Sequence, residues 1–177
     1  MYRFLIATFL SFCLFQDSPT ITWQHEYRLE WSDFNGSPKE QTSVVAVTAS
    51  GITFSFSTKT TETKLIDFSY LVKAQFYPEQ SWCIKERATS NILNHERLHF
   101  DITELFARKF RQRIEANMFT LDINNQMEAI HNAINTELET MQNTYDAETS
   151  NSQNIEKQKE WQTKIILQLN KLAYYSS

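Results

Sequence analysis

The sequence predicts an α+β fold, with a small antiparallel sheet in the N-terminal half packed on a helical half. Three observations predict it. Apolar and polar residues alternate along Ile52-Thr53-Phe54-Ser55-Phe56-Ser57 and again through Phe68, Tyr70, Val72, Ala74 and Phe76, the two-residue period of a strand with one wet face. Past Ser81 the spacing of apolar residues changes to three and four, and keeps that helical period nearly to the C-terminus. Strands first and helices afterwards define an α+β order. Only two Gly and three Pro punctuate 177 residues, which favours long helices over a turn-rich sandwich.

The chain opens on MYRFLIATFLSFCLF, one Arg followed by a nearly unbroken apolar run that stops at Gln16-Asp17-Ser18. That run is too short for an ordinary membrane span and matches the apolar core of a signal peptide. It predicts a leader over 1–17, a mature domain over 18–177 and export to the periplasm or outside the cell. A lipid anchor at Cys13 is disfavoured by the bulky Phe12 before it. Without the leader Cys83 stands alone, so no internal disulfide is expected. Flanked by Trp82 and Ile84, it reads as a core thiol rather than a nucleophile.

Residues 22–77 read as β structure, with Gly36-Ser37-Pro38 and Ser50-Gly51 as turns and Val44, Val45 and Val47 as a β-branched run. Ile92, His95, His99, Ile102, Phe106 and Phe110 then line one stripe of a helix over about 87–116. A second helix over about 122–143 turns Met127, Ile130, Ile134, Leu138 and Met141 inward. The polar stretch 146–154 reads as a loop. A last helix over about 155–173 buries Trp161, Ile165, Leu169 and Leu172. The net charge of −4 and the absence of a basic, aromatic-interleaved run exclude a general nucleic-acid footprint.

Chemistry concentrates in Asn94-His95-Glu96-Arg97-Leu98-His99-Phe100-Asp101. Residues four apart on a helix stack one turn above each other, so both imidazoles can face one zinc ion. Glu96 projects slightly further round, placed to take a proton from a zinc-activated water as general base. Core histidines bonded to carboxylates are the plainer alternative, but that explains neither the spacing nor the glutamate. Asp101 is either an acceptor for a ligand imidazole or surface charge.

A catalytic zinc site takes a third protein ligand. His131 on the second helix is one candidate. Asp146 and Glu148 in the polar stretch are the others, unless they merely cap the last helix. Tyr145 is a candidate donor to an oxyanion.

Leu29-Glu30-Trp31-Ser32-Asp33-Phe34, Ser81-Trp82, the His95-Glu96-x-x-His99-Phe100-Asp101 helix with Phe106-Ala107-Arg108, and Tyr145-Asp146-x-Glu148-Thr149 with Gln158-x-x-Trp161 carry a resemblance. Together they resemble a family of bacterial secreted proteins regarded as zinc-dependent proteases and formerly described as a domain of unknown function. The resemblance implies a zinc peptidase, zincin-like in kind, acting on a peptide or protein. It also implies a third ligand at the His of an x-His-Gly stretch, where this chain has Ser150-Asn151-Ser152. Either Asp146 or Glu148 substitutes, or metal is held weakly, or the protein is an inactive, exported binding domain on the same scaffold. Substrate sequence and oligomeric state are not legible.

Overall fold

The computed structural model describes residues 19–38 and 42–176. The predicted leader and Cys13 lie outside the described residues. Five strands, β1 (Ile21–Thr22), β2 (Ala46–Val47), β3 (Ser50–Thr60), β4 (Leu65–Phe76) and β5 (Trp82–Cys83), precede three helices, α1 (Ser90–Glu115), α2 (Ile123–Thr149) and α3 (Ile155–Lys171). The α+β reading therefore holds.

β3 and β4 form a long antiparallel hairpin in which Ile52 faces Ala74 and Phe54 faces Val72, and β1 adds to the far edge of β4. The alternating residues act as expected: Ile52, Val72, Ala74 and Phe76 are buried, while Thr53, Ser55 and Leu71 face out. β2 and β5 make a separate antiparallel pair, Ala46 opposite Cys83 and Val47 opposite Trp82, which carries the segment before β3 toward α1. Gly36 permits a close approach, since its backbone N–H donates to Ser81 O at 2.8 Å and a Cβ there would meet Ser81 O at 2.9 Å.

α1 starts where Thr89 accepts a hydrogen bond from the Ile92 backbone N–H. It is buried on more than its predicted stripe, because β3 and β4 cover one side and α2 and α3 the other. Ile102, Leu105, Phe106, Phe110 and Ile114 are all enclosed. So is Glu104, whose Oε1 accepts from Arg108 Nε at 2.8 Å and Arg111 Nη1 at 3.1 Å. Those arginines extend to Leu169 O and to Val72 O, both at 2.8 Å, tying α3 and the sheet to α1. Burying three charged groups is tolerable because each is paired and hydrogen-bonded; removing one partner costs about 3–5 kcal/mol.

Two readings differ from expectation: the described residues between Thr22 and Ala46 hold no strand, only a short 3-10 turn at Trp31–Asp33, and the polar stretch before the last helix starts differently. The stretch 146–154 does not begin as a loop: α2 runs on to Thr149, and only 150–154 forms the turn into α3. Tyr145 and Thr149, one turn apart and fully buried, supply the inward face of that extra turn, and the Thr149 hydroxyl donates to Tyr145 O at 2.7 Å. The helix ends on three successive left-handed residues, Ser150 (φ 49°), Asn151 (φ 49°) and Ser152 (φ 73°).

Candidate metal centre

α1 and α2 lie side by side, and each presents a pair of residues one turn apart: His95 and His99 from α1, Gln142 and Asp146 from α2. His95 Nε2 and His99 Nε2 are 3.1 Å apart, and Asp146 Oδ1 stands 3.0 Å from the first and 2.9 Å from the second. Three ligand atoms thus form a nearly equilateral triangle. Ligands at ~2.0–2.1 Å from a tetrahedral zinc stand roughly 3.3 Å apart, so this triangle fits the ion after a small expansion. Two imidazoles and one carboxylate are a donor set that catalytic zinc sites use.

The electrostatics agree with a place for a cation. Burial lowers the His99 pKa, yet the hydrogen bond to Asp146 and the charges of Glu96 and Asp146 outweigh it and hold the group above its ordinary value. Burial likewise raises the Asp146 pKa, but its bonds to His95 and His99 prevail and leave the carboxyl well below the usual range.

Glu96 is nearly buried and borders a cavity of about 560 Å³ shared with His95, His99 and Asp146. Among the described residues its carboxylate makes no hydrogen bond or ion pair; only its backbone carbonyl accepts, from the Thr48 hydroxyl. The Val44–Thr48 segment and Asn151 also line this cavity. Arg87 also borders the cavity, with its guanidinium bonded to Ser43 O at 3.0 Å. A second cavity of about 330 Å³ shares Thr48, His99 and Asp146 and continues past Glu139 and Gln142.

Other candidates sit elsewhere. Glu148 is outside the triangle: it is on the exposed side of α2 and accepts from Trp161 Nε1 at 2.7 Å. His131 is also outside it, wedged against Phe54 and Phe110 and bonded to Asn135. Tyr145 is fully buried, its ring stacked on His95 at 4.4 Å and edge-on to His99 at 5.0 Å. Its hydroxyl points to His95 O rather than into the cavity, and burial, then the Glu96 and Asp146 charges, push its pKa up. The Tyr145 ring thus packs against both imidazoles from their buried side. Asp101 does not bond a ligand imidazole; it accepts from Trp23 Nε1 at 2.8 Å and Arg28 Nη1 at 3.0 Å, clamping the N-terminal segment onto α1. Cys83 is a buried free thiol whose pKa burial raises.

Fold and site together define a small α+β protein with a His-His-Asp group, able to hold a metal ion, beside a glutamate in a cavity. Residues 24–153 match the family described as "Bacterial protein of unknown function (DUF922)", and the chain belongs to that family. The match spans Arg28 of the N-terminal clamp, β2 to β5, α1, and α2 with most of its turn. No curated protein and no solved structure matches the chain. No helix among the described residues is long and apolar enough to cross a membrane.

Proposed function

We propose that the protein is an exported zinc-dependent peptidase of the zincin kind, which hydrolyses peptide bonds with His95, His99 and Asp146 as metal ligands and Glu96 as general base. The observation that carries this reading is the triangle of ligand atoms 2.9–3.1 Å apart, with a carboxylate that has no partner among the described residues next in sequence to one of its corners. When bound, a zinc ion supplies a Lewis acid that polarises a carbonyl and renders water acidic enough to attack near neutral pH. Glu96 takes the proton of the attacking water and returns it to the leaving amine. The surrounding cavity holds the substrate against the Val44–Thr48 wall and limits bulk water around the reacting groups.

Asp146 supports a complete donor set despite Asn151 standing where the family resemblance places a histidine. It thereby weakens the alternative of an inactive binding domain. Two histidines and a carboxylate also suit ferrous iron, but an adjacent free glutamate serves hydrolysis. Metal analysis of the purified protein, with peptide cleavage before and after chelation and after zinc restoration, tests the proposal. Zinc near one equivalent with chelator-sensitive cleavage is the expected result; tight zinc without cleavage of any peptide leaves the binding domain, and iron displaces the hydrolase.

A further inference from the structure

Two imidazoles face the candidate ion, and the protein treats them differently. The Gln142 side chain reaches His99 at two points: its Nε2 donates to His99 O at 2.9 Å, and its Oε1 meets His99 Nδ1. The amide orientation follows from its surroundings. On the Nε2 side lie two acceptors, the His99 carbonyl and the Thr103 hydroxyl at 3.4 Å, the latter already using its proton on His99 O at 3.1 Å. A flipped amide would set its oxygen against both. With Oε1 fixed toward the ring, Nδ1–H donates to it, and the other ring nitrogen, Nε2, is turned to His95 Nε2 and Asp146 Oδ1, the corner where an ion would sit. Thr103 is in turn held by Ser50 at 2.7 Å, so the arrangement is braced from β3. His95 has no such partner among the described residues: its buried Nδ1 makes no hydrogen bond with them.

We infer that Gln142 is a positioning residue for the metal centre: it holds His99 in the Nδ1–H tautomer with Nε2 turned to the ion, so that His99 is preset as a ligand and His95 is not. The role rests on the zinc-site reading, but the tautomer it fixes exists in the metal-free protein and is measurable there. Outer partners of this kind change metal affinity by about 10–100-fold when removed.

The test is nitrogen NMR of the histidine rings in the metal-free protein at alkaline pH, beside zinc affinity from competition with a chromophoric chelator. The comparison takes wild type, Gln142→Glu, which keeps the acceptor, and Gln142→Leu, which lacks it. Expected are an Nδ1-protonated His99 in wild type and Gln142→Glu, a shift toward Nε2–H in Gln142→Leu, and a zinc affinity ~10–100-fold lower in Gln142→Leu alone. The His95 signals should stay in place. An Nε2-protonated His99 in wild type overturns the inference, whether or not Gln142→Leu folds. So does a Gln142→Leu protein with unchanged tautomer and affinity. If wild type binds no zinc, the metal-site reading falls, while the His99 tautomer still decides what Gln142 does.

Discussion

The indole of Trp161 on α3 donates to the Glu148 carboxylate on α2 at 2.7 Å, which removes Glu148 from the ligand set and makes it a link between two helices. Asp146, two residues earlier, points to the opposite side, into the His95–His99 pair. Two acidic residues so close in sequence therefore have separable effects. Glu148→Ala should lower stability by about 1 kcal/mol through the lost bond to the indole and leave zinc affinity unchanged. Asp146→Asn should fold and lose most zinc affinity, because an amide is a poor zinc ligand. Thermal unfolding and zinc titration of the two variants give the answer, and a zinc defect in Glu148→Ala would count against the assignment.

Glu96 invites a change that alters only its chemistry. Its side chain borders the cavity and, among the described residues, holds no hydrogen-bond or ion-pair partner, so Glu96→Gln breaks no such bond there. Zinc content and melting temperature should match wild type, and the cleavage rate should fall by about 10²–10⁴-fold with loss of the base. Turnover by Glu96→Gln at the wild-type rate would falsify the general-base role.

The helical half of the fold is legible because its apolar period is regular, and the His95-Glu96-x-x-His99 spacing predicts the two facing imidazoles of the candidate site. Asp146 was legible as a ligand type but not in its place. The polar run from Asp146 to Asn154 hides a last helical turn whose only apolar-face markers are Tyr145 and Thr149. Gln142 gave no signal at all, since a glutamine on an amphipathic helix reads as solvated surface until a histidine is found opposite it. Asp101 was seen but misdirected: its partners, Trp23 and Arg28, are more than seventy residues away in sequence, a distance that no local pattern encodes.

The turn after α2 carries a strain that one substitution can relieve. Ser152 adopts φ 73° beside the cavity, a conformation that costs a residue with a Cβ roughly 1 kcal/mol relative to glycine. The family resemblance places glycine at this position. Its carbonyl accepts from Asn91 Nδ2 at 2.7 Å, a bond that does not depend on the side chain. Ser152→Gly should therefore raise stability by several tenths to about 1 kcal/mol, after the added chain entropy of the unfolded glycine is subtracted. Denaturant unfolding measures it, and a clear loss of stability would mean that the serine side chain supports the turn.

The His99–Asp146 pair predicts opposite pH responses with and without metal. In the metal-free protein Asp146 titrates below its ordinary 3.8, so its contribution is present above that value and is lost as pH falls through the lowered folded pKa. His99 titrates above its ordinary 6.5, so its contribution is complete below that value and is lost as pH rises through the raised folded pKa. The stability difference between wild type and Asp146→Asn should therefore be largest between those two ordinary values and shrink on both sides. Asp146 is partly exposed, so solvent and salt reduce the size of this difference. Zinc reverses the alkaline limb: the ion needs imidazoles without a proton on Nε2, so zinc affinity should climb as pH rises through the His99 titration. Melting temperatures of both proteins across the pH range, in chelator and in excess zinc, test the pair. Parallel wild-type and Asp146→Asn curves in chelator would mean that the two side chains do not share a charge interaction in the metal-free protein.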